Sequence, residues 1–319
     1  MVLALWLVVF VVGVAVIVWG AETFAEHLGA ASVQLGVSSF ALALLLAGAE
    51  PEELATAVVA SLRGSPGIAL GDVVGANVAI CLVALGVGAW IAPLPFRAGV
   101  MRYALFGLPL GAVGAWFAWD GEVSRLEGGV LVVLYVAYVA AIWWAERKPP
   151  MLGEVGELAE AREAAGAGGT GRVGRDLALV VAGVIAMAAG ASLLVEAVQR
   201  ISGVESVQTR LGLTLVGFAT GFELVVLAWS AARRGISDAV VAGVVGSFAY
   251  NTTMTLGAGA LARPLMLSDA SSLHRPLAFM LGALLLVVLL ASRRRLLGRP
   301  EASVLLAAYP LFVITVLFT

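Results

Sequence analysis

The chain has 319 residues, 61% of them apolar and 13% charged, with a formal net charge of −2 and a mean hydropathy of +1.02. Soluble domains run near half apolar and about a quarter charged, so this composition excludes a soluble enzyme, a nucleic-acid binder and a disulfide scaffold. It leaves an all-α polytopic membrane protein, because the apolar runs are long and do not alternate as barrel strands do.

A helix needs about 20 apolar residues to cross a bilayer. On that length the sequence predicts ten spans, over 2–20, 34–61, 67–92, 101–119, 126–145, 176–197, 209–232, 237–261, 275–292 and 301–318. The first has no basic residues ahead of it and reads as a span, not a cleaved leader. The longest polar interruption, 147–175, carries Arg147, Lys148, Arg162, Arg172 and Arg175 with a glycine-rich run at 166–174. It predicts a solvated linker between two five-helix halves, 1–146 and 176–319. With the N-terminus outside, thirteen of the 19 Lys and Arg residues fall on inside connections and six on outside ones. Basic residues favour the cytoplasmic side, so the expected protein is a multi-pass protein of the cell membrane with both termini outside and the linker in the cytoplasm. Five spans per half give the two halves opposite orientations, the inverted-repeat plan of many secondary transporters.

Two blocks of sequence repeat. The first half contains Gly48-Ala49-Glu50-Pro51-Glu52-Glu53-Leu54 and then Gly71-Asp72-Val73-Val74-Gly75-Ala76-Asn77. The second contains Thr220-Gly221-Phe222-Glu223-Leu224 and then Gly243-Val244-Val245-Gly246-Ser247. Each block is a glycine-interrupted helix with a glutamate, a short turn at Arg63-Gly64-Ser65-Pro66 or Arg233-Arg234-Gly235, and a glycine-rich helix.

Five carboxylates, Glu50, Glu52, Glu53, Asp72 and Glu223, fall inside apolar spans. Facing lipid, each would cost about 3 kcal/mol or more, so about 15 kcal/mol together. They must face protein, water or a cation. Their companions are oxygen donors: Thr56, Asn77, Thr220, Ser247 and Asn251. Hard cations such as Ca2+ take six to eight such oxygens. Softer metals are disfavoured, since no histidine accompanies these residues and Cys81 is the single cysteine. Glu53 and Thr56, three apart, share a helix face, whereas Glu52 points about 100° away from Glu53.

These blocks resemble the alpha repeats of the calcium:cation antiporter superfamily, the sodium/calcium exchanger integral membrane family. Its pattern is Gly-Thr-Ser-x-Pro-Glu-Leu followed by Gly-Asn-x-x-Gly-Ser-Asn, once per half. The resemblance implies ten helices in two inverted repeats and Ca2+ bound by two glutamates, here Glu53 and Glu223. It places neighbouring oxygens near the coupling-ion sites: Asp72 and Asn77 on motif asparagines, Thr220 and Ser247 on motif serines, and Asn251 where a further Asn or Asp stands. The chain departs from the pattern at Ala49, Glu50, Glu52, Ala76, Ile80, Ala219, Phe222 and Phe248. Several hydroxyl donors are thereby lost and one carboxylate, Glu50, is gained.

Structural readings stand beside these. Glu50 is equally a coupling residue or a gate facing water, and Asp72 lines the path or pairs locally. Asn77, Thr220, Ser247 and Asn251 are also ordinary interhelical hydrogen-bonding residues. His27 and His274 lie near span ends and read as interfacial. The tryptophans at 19, 90, 119, 143 and 144 read as belt anchors, and Cys81 as packing. The combined expectation is a cation antiporter that exports Ca2+ in exchange for Na+ or H+ and needs no cofactor beyond its transported ions. Its partners are inorganic cations and the bilayer, not nucleic acid, and a monomer is compatible with the sequence. The alternatives are a transporter of Mg2+, Mn2+ or Na+ alone, or a channel-like or non-transporting protein on the same fold.

Overall fold

The structure is a computed structural model that describes residues 2–34, 50–96, 98–146, 173–234 and 237–318. The start of the span expected at 34–61, Gly48 and Ala49, Arg97, most of the linker and the turn at Gly235 lie outside the described residues. The helices are α1 (Val2–Gln34), α2 (Pro51–Leu62), α3 (Pro66–Ala79), α4 (Leu85–Ile91), α5 (Ala98–Phe117) and α6 (Arg125–Glu146). They continue as α7 (Val173–Ile201), α8 (Glu205–Leu211), α9 (Gly217–Thr220), α10 (Phe222–Arg234) and α11 (Ser237–Tyr250). The last three are α12 (Leu256–Ala262), α13 (Ser271–Arg294) and α14 (Arg299–Leu317). Wider π turns at Ile80–Ala84, Gly212–Val216 and Asn251–Thr255 join α3 to α4, α8 to α9 and α11 to α12.

Among the described residues eight helical runs are long and apolar enough to cross a membrane. The expected span at 237–261 is helical from Ser237 to Ala262. Only the end of the expected span at 34–61 is described, as α2. The helix expected over 209–232 is broken: it widens at Gly212–Val216 and stops at Gly221, before α10 begins. The first helix continues well past residue 20, to Gln34.

The same order of elements occurs twice. A 14-residue helix, a five-residue π turn, a seven-residue helix and a two-residue strand run from Pro66 to Pro95, and again from Ser237 to Met266. Each set is followed by a long helix, another two-residue strand and a last helix. The sets are interlaced. Strand β1 (Leu94–Pro95) pairs antiparallel with β4 (Leu296–Leu297), and β2 (Glu122–Val123) with β3 (Leu265–Met266). Helix α4 packs on α14 as α6 packs on α12, and α1 crosses α7. These strands escaped the sequence reading, because two residues are too few to show alternation.

The centre of the bundle is the run Pro66–Ile91, the most enclosed of the long apolar runs among the described residues. It is enclosed because small residues let a second backbone close on it. A Cβ added to Gly75 would lie 2.2 Å from the Leu213 carbonyl oxygen, and one on Gly217 would lie 2.5 Å from the Ala76 nitrogen. This close crossing brings the α8–α9 segment of the second half against α3 of the first. The tight turn between α2 and α3 takes Gly64 at φ +71°, a left-handed conformation that glycine adopts without Cβ strain. Trp90, Trp119 and Trp144 are exposed at or beside helix ends, whereas Trp19, also exposed, stands in the middle of α1, which outruns the expected span; Cys81 is buried in the core. His274 stacks on Trp119 with centroids 4.3 Å apart, as expected of an interfacial residue. His27 differs: its Nδ1 lies 3.1 Å from Asp176 Oδ1 and ties α1 to α7.

Candidate functional site

The two sequence blocks meet at the centre of the bundle. Helix α2 begins in the buried interior. Pro51, with no N–H to lose and φ preset for helix, occupies its first turn, and Glu52 and Glu53 follow in that same turn. Helix α10 begins after the break at Gly221 and carries Glu223 in its first turn. Both glutamates therefore stand at helix N-termini, where free N–H groups and the helix dipole favour negative charge. That local bias explains in part how carboxylates persist at this depth.

Glu50, Glu52, Glu53 and Asp72 are respectively 4%, 1%, 0% and 0% exposed, whereas Glu223 is half-buried. Three polar contacts join the halves here. The Thr220 hydroxyl donates to Asp72 Oδ1 at 2.8 Å. The Ser247 hydroxyl donates to Glu50 Oε1. Asn251 Nδ2 lies 3.5 Å from Asn77 Oδ1, and the Thr255 hydroxyl donates to Asn251 Oδ1 at 3.3 Å. Glu50 and Thr220 occupy matching places, each just ahead of the helix that carries the block's glutamate, and each reaches across to the other half.

Hydrogen bonding does not use up the oxygens. Neither carboxylate oxygen of Glu52 or Glu53 closes a hydrogen bond of normal geometry, nor does Asp72 Oδ2. Glu50 comes near Glu52, and Asn251 near Glu53, without closing one. Each glutamate here feels the charge of others in the group: Glu50 that of Glu53, Glu52 that of Glu223, and Glu53 that of Asp72. Arg63 pairs with Glu196 at 2.8 Å and Arg200 with Glu196 at 2.7 Å, away from this group. Buried polar atoms in proteins are almost always satisfied. A group of carboxylate oxygens left over in a core is the chemistry of a cation-receiving pocket. Among the described residues no three acidic, histidine or cysteine side chains converge as tightly as a formed metal centre requires; the carboxylates face one another across neighbouring helices.

All nine candidate residues are buried or half-buried, and eight of them enter this network. The exception is Thr56: its hydroxyl donates to the Glu52 carbonyl at 2.8 Å, closing the helical turn above the glutamates. Two further residues join the group. Glu52, offset from Glu53 along the helix, is equally buried. Tyr250 is 4% exposed, feels the charges of Glu50, Glu52 and Glu53, and packs edge-on against Tyr135 at 5.2 Å. Its one sequence signal is its place beside Asn251.

The wider likeness of the chain agrees with this geometry. The model of the sodium/calcium exchanger protein family matches residues 5–144 and 176–318. Sodium/calcium exchanger MaX1 of Methanosarcina acetivorans is 26% identical over 345 aligned residues, covering 97% of this chain and 98% of the relative. Putative antiporter CaxA of Alkalimonas amylolytica is 23% identical, covering 93% and 94%. The solved structure of the sodium-calcium exchanger NCX_Mj, soaked with Na+ and Sr2+, superposes with a TM-score of 0.63 at 23% identity, covering 98% of this chain and 99% of that one. Since the family match takes in both halves and spares only the linker and the extreme ends, the chain belongs to the sodium/calcium exchanger family and is a membrane transporter, not an enzyme.

Proposed function

We propose that this exchanger is a secondary active antiporter of ten spans, built as two inverted five-helix halves, 1–146 and 176–319, around the linker 147–175. It exports Ca2+ and admits Na+ or H+ in return. The observation that carries this reading is the pair Glu53 and Glu223, in the first turns of two helices that begin inside the bundle, beside Glu52, Glu53 and Asp72 oxygens that close no hydrogen bond. The name of MaX1, a sodium/calcium exchanger, supports the choice of ions. The split of basic residues supports both termini outside the cell membrane with the linker in the cytoplasm.

In this reading one pocket faces each side of the membrane in turn. Ca2+ or the coupling ions compensate the carboxylate charges, and the helices close over the filled pocket. An empty pocket keeps several like charges at low dielectric, which resists closure. Exchange is then enforced and leak suppressed, because only a filled pocket crosses between the two faces. Asp72, Asn77, Thr220, Ser247 and Asn251 complete the oxygen set, and Glu50 supplies a carboxylate where the family pattern has a serine. A second reading, with H+ as the coupling ion, is favoured by the missing donors at Ala49, Ala76 and Ala219.

The test is Ca2+ flux into proteoliposomes with imposed Na+ or pH gradients. Glu53→Gln and Glu223→Gln are each expected to lower gradient-driven uptake by at least about tenfold, the usual loss when a metal site is degraded. Uptake at the parent rate in both variants overturns the proposal. Ca2+ entry that needs no counter-ion gradient indicates a channel instead.

A further inference from the structure

A groove of about 430 Å³ runs between α13 and α14, within the size range of small-molecule sites. Phe279, Gly282 and Leu286 of α13 and Ala308 of α14 form its walls, and Leu82 lies at its base. The same two helices carry exposed Leu285, Leu311 and Ile314, so in a membrane this face meets lipid. One end of the groove is polar. Arg275, near the start of α13, and Thr315, near the end of α14, both line it. Leu286 lies eleven residues beyond Arg275, about 16 Å along a helix axis and about half the depth of a bilayer's hydrocarbon core. The groove therefore has the reach of one leaflet, with a cation where head groups lie and apolar walls below.

Arg275 is exposed and, among the described residues, closes no hydrogen bond or ion pair with the protein. Arg63, Arg200 and Arg299, by contrast, donate to protein oxygens. A guanidinium left open presents paired N–H groups that match a phosphate. An arginine that only reached for water would need no groove beneath it. We propose that this groove is a phospholipid site, with one acyl chain between α13 and α14 and the lipid phosphate on Arg275. The site is separate from the cation pocket and does not depend on which cation is exchanged. Its position nevertheless bears on that pocket. Met280 stands between the groove-lining Phe279 and Gly282, and its Sδ accepts from Asn77 Nδ2 at 3.7 Å. Leu82 belongs to the π turn that follows α3, the helix of Asp72 and Asn77. A chain seated in the groove braces both elements from the lipid side.

The experiment uses the full-length protein, purified in detergent and washed free of lipid. The rise in unfolding temperature is titrated with dioleoyl phosphatidylglycerol, with dioleoylglycerol, which lacks the phosphate, and with inorganic phosphate, which lacks the chains. Arg275→Gln and Gly282→Trp are compared with the parent. A Cβ on Gly282 meets nothing within 4 Å, so the new side chain enters the groove without displacing a neighbour. In the parent the phospholipid is expected to give a saturable rise, dioleoylglycerol one at least about tenfold weaker in midpoint, and inorganic phosphate none. Arg275→Gln should respond to the phospholipid only as the parent responds to dioleoylglycerol. Gly282→Trp should lose the response to both lipids. No rise in the parent, or the same midpoint in the parent and whichever variant folds, overturns the proposal, since ordinary solvation of apolar surface then suffices. Equal midpoints for the two lipids in the parent overturn the role of Arg275. A parent that elutes as a dimer and becomes monomeric in Gly282→Trp overturns it in favour of a second copy in the groove.

Discussion

At the scale of single residues, the site is a set of buried oxygens whose partners come from the other half of the chain. Thr220 and Asp72 are 148 positions apart yet joined by a 2.8 Å hydrogen bond. Removing one side of such a contact strands the other in a place that water does not reach. Thr220→Val is therefore expected to lower stability by about 1–3 kcal/mol, measured as thermal unfolding in detergent. The double change Asp72→Leu with Thr220→Val should cost less than the sum of the single changes, since the stranded carboxylate is then gone too. Additive losses would mean that the contact contributes little. The acidic residues and their donors were legible in the sequence, because a carboxylate inside an apolar span has few innocent explanations. Their pairing was not legible. Nothing in the order of residues says that Ser247 reaches Glu50 or that Asn251 lies against Asn77.

At the scale of elements, the crossing of α3 with the α8–α9 segment sets the depth of the site. Its glycines act as contact surfaces, since each has backbone where a side chain would go. Gly75→Ala drives a methyl group into the Leu213 carbonyl, 2.2 Å from the added atom. An overpacking cost of about 1–3 kcal/mol is expected, with lower transport per folded molecule because the halves are pushed apart at the site. Unchanged unfolding temperature and rate would show that the crossing yields easily. A second element prediction concerns the short antiparallel pairs. Gly121 and Arg295 occupy matching turns beside β2 and β4, and both are left-handed, with φ of +81° and +51°. Glycine adopts that conformation freely, whereas a residue with a Cβ pays about 1–2 kcal/mol. Arg295→Gly should therefore raise the unfolding temperature, by up to about 1 kcal/mol of added stability after glycine's greater freedom in the unfolded chain is counted. A fall in stability would locate an unrecognised role in the arginine side chain. The sequence announced the helices through length and hydropathy. The glycine of the second block marked the interruption at Gly221, but the π turns stayed hidden, because local widening leaves the apolar pattern nearly intact.

At the scale of the whole molecule, the two halves are interwoven, not set side by side. Strand β1 finds its partner in β4, β2 finds its partner in β3, and the most buried helix of the first half is walled by segments of the second. Neither half closes a core by itself. Residues 1–146 expressed alone, or 173–319 alone, should aggregate or be degraded, whereas the two expressed together should co-purify and regain Ca2+ flux. A stable, monodisperse single half on size exclusion would contradict the interlacing. The matching order of elements in the halves gives several packing contacts a counterpart, as α4 on α14 and α6 on α12. At the crossing of α1 and α7, Gly13 meets Gly190 while Gly20 meets Gly183.

The sequence by itself determined the solvent, the helical class and the family. Hydrophobicity and charge are properties of composition along the chain, and the paired blocks keep their spacing whatever surrounds them. It also determined which residues are chemically conspicuous, since charge within apolar spans needs no coordinates to be seen. Only the tertiary structure decided which of these residues meet. Contacts between residues some 150 to 200 positions apart follow from how helices cross and where two-residue strands pair, and those are set by close packing of backbones at glycines rather than by local preference. The place of Glu52 shows the difference most plainly: its helical offset from Glu53 is written in the sequence, whereas its burial without a hydrogen-bond partner is set by the packing.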